Sequence, residues 1–317
     1  FWLKFLALRR SKSHPASFFP LPSRGALTML CSMPYGDNIV VLWLYLTVLA
    51  TISIFGMSSL IFYVLFAKPT FNTWVKKINP AYPSVTQVRQ EVIQTMKAIC
   101  FTTMMPSLAL YLAKTGHSKA YCGVEPYGYG YLFLTFCVTF IFTDFFEWGY
   151  HALGHRLGFM WGVHKHHHLF HNPSPFAVIA DEWVDQLVRA SPLVVLPVIA
   201  PINMDMLFAT FAVVFYAWGV FLHCGHEVDW PDAHHPVLNT SWQHFCHHAK
   251  SGKINPYHTG FFLKCWDNWT GQIYDKECFC IKCQAANGDR TYQQWEQVKK
   301  VDYSKLLSLK FWLAPTA

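Results

Sequence analysis

Charge is what this sequence has least of. Asp, Glu, Lys and Arg make up 14% of its 317 residues and hydrophobic residues 53%, whereas a soluble domain is roughly a quarter charged. An ordinary water-facing surface is therefore excluded. No GxGxxG follows a strand-like run, and "YGYGYL" (127–132) lies in an apolar stretch, so the chain carries no nicotinamide or flavin fold of its own. HExxH is absent too, and with it the metalloprotease pattern. The ten cysteines are scattered. Cys100 and Cys137 sit in apolar runs where lone thiols are common, so disulfides are not expected. Their one tight group, Cys278, Cys280 and Cys283 in "CFCIKC", lacks a second CxxC half and reads as an incidental cluster or a lipidation target.

What is present is apolar sequence in long runs. About 20 mostly apolar residues cross a bilayer, and 39–66 does so with no charge in it. Residues 98–113, flanked by Lys97 and Lys114 and interrupted by Pro106, give a second span. Residues 127–143 give a third, with interfacial tyrosines at its start and a helix that runs on into Asp144 and Glu147. Two shorter stretches follow, 190–204 and 206–222. A single kinked span there would put the histidine-rich segments 151–171 and 223–248 on opposite sides of the membrane, so a tight hairpin turning at Asn203–Asp205 is expected. The fold class is then all-α, an integral membrane helical bundle of four to five transmembrane helices with a helical, histidine-bearing cap. Three regions follow: a lead-in (1–38), an N-terminal transmembrane region (39–126) and a catalytic region (127–317). "FWLKFLALRR" is too short to span.

The net charge of +7 is spread over the polar segments, which suits anionic lipid headgroups and gives no nucleic-acid footprint. The segment 68–97, with Lys68, Lys76, Lys77, Arg89 and Lys97, belongs in the cytosol by the positive-inside tendency, and the histidine segments fall on the same side. Arg9, Arg10, Lys12 and Arg24 would then be lumenal, a conflict that a missing or partly inserted N-terminal helix would remove. The sequons at Asn239 and Asn268 lie on the cytosolic side and are expected to be unmodified.

Seventeen histidines are the chemistry-bearing feature. Positions i, i+3 and i+4 share one face of a helix. "HALGH" offers His151 and His155; "HKHHH" offers His164, His167 and His168; "HFCHH" repeats that spacing as His244, His247 and His248; "HCGH" adds His223 and His226. Up to ten imidazoles exceed the four ligands of one zinc, so two metal ions are expected, and imidazole alone leaves the metal open. His14, His117, His166, His171, His234, His235 and His258 stay outside the set. A ligating histidine needs an outer partner for its second nitrogen. Asp144 and Glu147, seven and four residues before His151, are the natural candidates, with Asp267 a further one. Asp181, Glu182 and Asp185 could serve equally, or could form a solvated turn.

These boxes resemble the fatty acid hydroxylase/sterol desaturase superfamily of membrane non-haem di-iron oxidoreductases. The resemblance rests on "HALGH", "HKHHH" with "PSPFA" (173–177), His223 after the hairpin, "HFCHH" and "WDNWTG" (266–271), together with the ending "DYSKLLSLKFWL". It covers about 140–310. Ala152 stands where the family often has Arg, and "ADEWVDQ" replaces a stretch that commonly carries another His and Pro. The resemblance implies two iron ions, O2-dependent hydroxylation or desaturation of a lipid, a sterol above a fatty acyl or sphingolipid substrate, and a place in the endoplasmic reticulum with the site facing the cytosol. It also implies an external electron donor, cytochrome b5 with its NAD(P)H-dependent reductase or an equivalent. A membrane zinc hydrolase would need the absent HExxH, and a non-catalytic homologue would be expected to have lost box ligands.

Overall fold

The computed structural model describes Leu30 and residues 38–314. The rest of the lead-in, with its basic residues, lies outside them. Among the described residues there is no strand, and four helices are long and apolar enough to cross a membrane: Ile39–Ala67, Val85–Lys114, Gly128–Arg156 and Met204–His223. Their apolar side chains face outward. Val48, Ile52, Leu60, Phe133 and Leu134 are exposed, an arrangement stable only where hydrocarbon replaces water.

Each long helix follows from its residues. Asn38 accepts hydrogen bonds from the amides of Val40 and Val41 and so starts the first. Ser84 caps the second, which begins 13 residues before the expected 98. Most of the supposed linker 68–97 is thus helical, and buried Arg89 and Glu91 point inward from it. The two helices meet through a polar seam: Thr47 and Thr103 hydroxyls are 2.7 Å apart, and Trp43 Nε1 donates to the Cys100 carbonyl at 2.8 Å, the kind of bond that holds helices where no hydrophobic force acts between them. "PSPF" forms a buried 3-10 turn, Pro175–Ile179, wedged against both helices. Ser58 and Thr95 hydroxyls donate to the carbonyls of Pro175 (2.9 Å) and Phe176 (2.6 Å), and Glu91 takes the Ser174 hydroxyl.

The hairpin forms, but its two arms differ. The second arm runs unbroken to His223 through a π-helical stretch, Thr210–Phe215. The first is two short helices, Trp183–Arg189 and Pro192–Ile199, broken by Pro192 and carrying Pro197 inside the second. At the turn, the Tyr121 amide donates to the Ile202 carbonyl and the Met204 amide donates to the Tyr121 carbonyl, and Asn203 Nδ2 donates to Gly123 O at 2.7 Å. This end lies beside Gly128, where the third span begins; the histidines lie at its other end, roughly 35 Å away at 1.5 Å per residue. Cys122, at the turn end, is disulfide-bonded, which corrects the expectation of no disulfides. Among the described residues the free cysteines include Cys224, Cys246, Cys278, Cys280 and Cys283 around the histidine end.

Two carboxylates lock the segment after the last histidine box. Asp144 accepts from the amides of Phe262 (2.7 Å) and Leu263 (3.2 Å) and from Trp266 Nε1 (2.8 Å). Asp267 accepts from the Gly260 amide at 3.0 Å. A Cβ at Gly260 would lie 2.5 Å from Asn239 Nδ2 and 2.7 Å from Asp267 Oδ2. Gly260→Ala should therefore cost about 1–3 kcal/mol by overpacking, read as a lowered melting temperature of the detergent-solubilised chain.

Candidate metal centre

Nine of the ten expected histidines converge, in two groups. His151, His155, His164, His168 and His247 form one; His167, His223, His244 and His248 form the other. The boxes do not each serve one group. "HKHHH" is no single helix: one helix ends at His164 and a 3-10 turn, His167–Leu169, follows. Its i and i+4 members go to the five-histidine group and His167 to the four-histidine group. "HFCHH" lies on a true helix, Ser241–Lys250, started by a capping box between Thr240 and Gln243, and it divides the opposite way, sending His244 and His248 to the second group and His247 to the first.

His226 does not join them. The helix stops at His223, and Gly225 turns the chain with φ of 63°, so i+3 spacing no longer means a shared face. His226 instead packs its ring 5.2 Å from Phe66 and bonds the Cys224 carbonyl through Nδ1. His166, His171, His234, His235 and His258 also lie outside both groups.

The outer nitrogens of six of the nine face an oxygen. His151 Nδ1 meets the Thr259 carbonyl at 3.0 Å, His155 Nδ1 that of Gly252 at 3.3 Å, His247 Nδ1 that of Tyr257 at 2.6 Å and His223 Nδ1 that of Gly219 at 2.7 Å. His167 Nδ1 lies 2.6 Å from an Asp181 oxygen and His164 Nδ1 3.6 Å from Asp185. Carbonyl and ionised carboxylate oxygens only accept, so Nδ1 carries the proton and Nε2 presents a lone pair. The carboxylates beside histidines are thus Asp181 and Asp185. The expected Asp144, Glu147 and Asp267 touch no histidine. Asp144 and Asp267 hold the 260–266 segment, while Glu147 pairs with Arg189 (2.7 Å), which in turn pairs with Asp181 (2.6 Å). Asp181 was hard to single out because its partner comes from another box, whereas proximity in sequence favoured Asp144 and Glu147.

The Nε2 atoms crowd together: 3.2 Å for His155 and His247, 3.1 Å for His247 and His168, 3.2 Å for His164 and His168, 3.4 Å for His167 and His223, 2.9 Å for His223 and His244, 3.1 Å for His244 and His248. In the His155–His247 and His167–His223 pairs both outer nitrogens are already committed, so lone pair faces lone pair. Only a cation between them makes that favourable. With metal–nitrogen bonds of about 2.0–2.1 Å, neighbouring ligand atoms should lie roughly 2.9–3.4 Å apart, and these do. Burial, reinforced by neighbouring histidines, holds His168, His244, His247 and His248 well below the ordinary imidazole value of 6.5, in the neutral form that ligation needs.

A cleft lined by His151, His164, His167, His223, His244, Glu147 and Arg189 opens onto both groups. It shares Glu147, Arg189 and Phe261 with a second, more apolar cleft between the hairpin arms, walled by Val178, Ile179, Phe211, Phe215, Tyr216 and Gly219.

Residues 136–272 match the fatty acid hydroxylase family. The chain is 28% identical to lathosterol oxidase of Homo sapiens over 61% of its own length and 63% of that protein's. It is 30% identical to the Delta(7)-sterol 5(6)-desaturase ERG3A of Gibberella zeae over 62% and 53%, and 29% identical to the corresponding protein of Aspergillus fumigatus over 68% and 65%. It thus spans just under two thirds of the length of the first of these relatives and about half of the second. No solved structure matches it.

Two outcomes follow for the isolated protein. Asp181→Asn should weaken metal binding at the four-histidine group about 10- to 100-fold in chelator competition, while His226→Ala leaves the metal count unchanged. For the metal-free chain, the unfolded histidines take up protons first as pH falls below 6.5, because the folded values are depressed. Its melting temperature should drop steadily between pH 7.5 and pH 5 and be highest above pH 7.

Proposed function

We propose that this chain, whose residues 136–272 match the fatty acid hydroxylase family, is a member of the fatty acid hydroxylase/sterol desaturase superfamily and a membrane oxidoreductase that uses O2 and two iron ions to attack a C–H bond of a bilayer lipid, a sterol first. The observation that carries this is the convergence of nine histidines in two groups, five of which line a cleft that adjoins a second cleft between membrane helices.

His151, His155, His164, His168 and His247 would hold one ion, and His167, His223, His244 and His248 the other. Bound there, the metals would supply the oxygen activation that side chains cannot perform. The protein's own contribution is placement. Phe211, Phe215 and Val178 offer a dry bed for a lipid body, and the Glu147–Arg189 ion pair sits where the apolar cleft meets the histidine cleft, a polar mark that can orient a hydroxylated lipid end or exclude one. The Asp181 carboxylate fixes His167 and is itself fixed by Arg189, so the ligand ring is aimed before substrate arrives. The similarity to lathosterol oxidase and to Delta(7)-sterol 5(6)-desaturase favours a sterol over an acyl chain.

The histidine end is proposed to face the cytosol and the membrane to be that of the endoplasmic reticulum. Lys68, Lys76 and Lys77, between the first two spans, support this orientation, as does the placement of the Cys122 disulfide at the opposite, turn end. Electrons would come from outside, from cytochrome b5 and its NAD(P)H-dependent reductase or an equivalent donor.

Expression in yeast lacking its sterol C5-desaturase, followed by mass spectrometry of sterols and acyl lipids, tests the proposal: a new desaturated or hydroxylated sterol supports it, and unchanged profiles in both classes reject it. Gly219 lines the apolar cleft, where a Cβ would already approach Val178 within 2.9 Å. Gly219→Leu should reduce product at least about tenfold while purified protein retains its iron.

A further inference from the structure

A further cluster of side chains with metal-ligand chemistry lies outside the two histidine groups. His234, Cys278, Cys280 and Cys283 place their ligand atoms all within 4.8 Å of one another. His234 Nε2 is 3.1 Å from Cys280 Sγ, 3.6 Å from Cys283 Sγ and 4.0 Å from Cys278 Sγ. Around zinc, with Zn–S about 2.3 Å and Zn–N about 2.0–2.1 Å, a tetrahedron has N···S edges near 3.5 Å and S···S edges near 3.8 Å, and the three measured separations bracket the first of these.

The fourth ligand is the half that "CFCIKC" lacks in sequence; it arrives from a loop 44 residues upstream of Cys278. Local structure builds the rest. Cys280 precedes the short helix Ile281–Ala286, whose first turn brings Cys283 back toward it. Lys282 pairs with Asp232, which also accepts the His234 amide at 3.0 Å. The Ile281 amide donates to Glu227 at 2.8 Å. Loop and knuckle are therefore clasped on both sides of the four ligand atoms. An odd number of thiols cannot all pair as disulfides, and atoms so close together fit around one ion rather than around a multi-iron cluster.

We propose that His234, Cys278, Cys280 and Cys283 bind one structural zinc ion. The site is closed, with four protein ligands and no open position, so its role is to pin the loop that follows His223. That loop holds the last histidine helix. The Ala233 carbonyl, next to His234, accepts from Gln243 Nε2 at 2.7 Å and from Lys264 Nζ at 3.1 Å, and Gln243 is the capping residue immediately before His244.

Zinc K-edge absorption on the purified full-length chain, kept reduced, tests this, because the histidine groups offer no sulfur. The expected result is one zinc per chain that survives a ferrous-iron chelator and shows three sulfur scatterers at about 2.3 Å and one nitrogen. Cys283→Ser should lose that equivalent, and His234→Cys should keep it with a fourth sulfur. Should Cys283→Ser fail to fold, the wild-type spectrum and His234→Cys still decide. Wild-type protein with no sulfur-bound zinc overturns the proposal, as do cysteines found acylated or disulfide-linked by intact mass spectrometry.

Discussion

Imidazole lone pairs at 3.2–3.4 Å from one another, buried and with their opposite nitrogens already committed, repel. The architecture around the candidate centre holds them there nonetheless. Carbonyls of Gly219, Gly252, Tyr257 and Thr259 fix four rings, Asp181 fixes a fifth, and the elements carrying these groups come from every part of the chain after residue 127. Such crowding has a physical purpose only if positive charge sits between the rings. It also forces the topology: the segments before and after the hairpin must end on the same side of the bilayer, so the chain between Asp181 and His223 has to go out and return.

Much of that was legible in the residues. Uninterrupted apolar runs located the spans at 39–66 and 127–143, because hydrocarbon tolerates little else, and the need to unite two histidine-rich segments required the hairpin. Box spacing singled out the nine histidines that converge, and on the continuous helices the i, i+4 pairs His151/His155 and His244/His248 do share a face. What escaped was the part that depends on where helices end. Gly225 turns His226 aside, and the break after His164 separates His167 from its neighbours. Spacing predicts a shared face only while the helix continues.

Contacts made across long separations in sequence were harder to read. Asp181 reaches His167 because the wedge at Pro175–Ile179 folds the chain back on itself; "ADEWVDQ" offers three carboxylates and its sequence alone does not separate a histidine partner from a solvated turn. Asp144 and Asp267 carry charge next to box residues, yet the backbone amides they hold come from the loop after the last box. Cys278, Cys280 and Cys283 lacked a visible fourth partner for the same reason, His234 being brought by a loop whose position depends on the whole fold. The disulfide at Cys122 was hidden because a lone cysteine near an aromatic loop carries no local signature of pairing.

The exchange of partners between the two HxxHH stretches has a thermodynamic corollary. Each stretch contributes to both groups, so an ion entering one of them stiffens backbone that also presents donors to the other. Filling the first position lowers the ordering entropy left to be lost at the second. If both groups hold ions as proposed, the half-filled protein would be disfavoured, and occupancy would pass from none to both over a narrow range of free metal concentration.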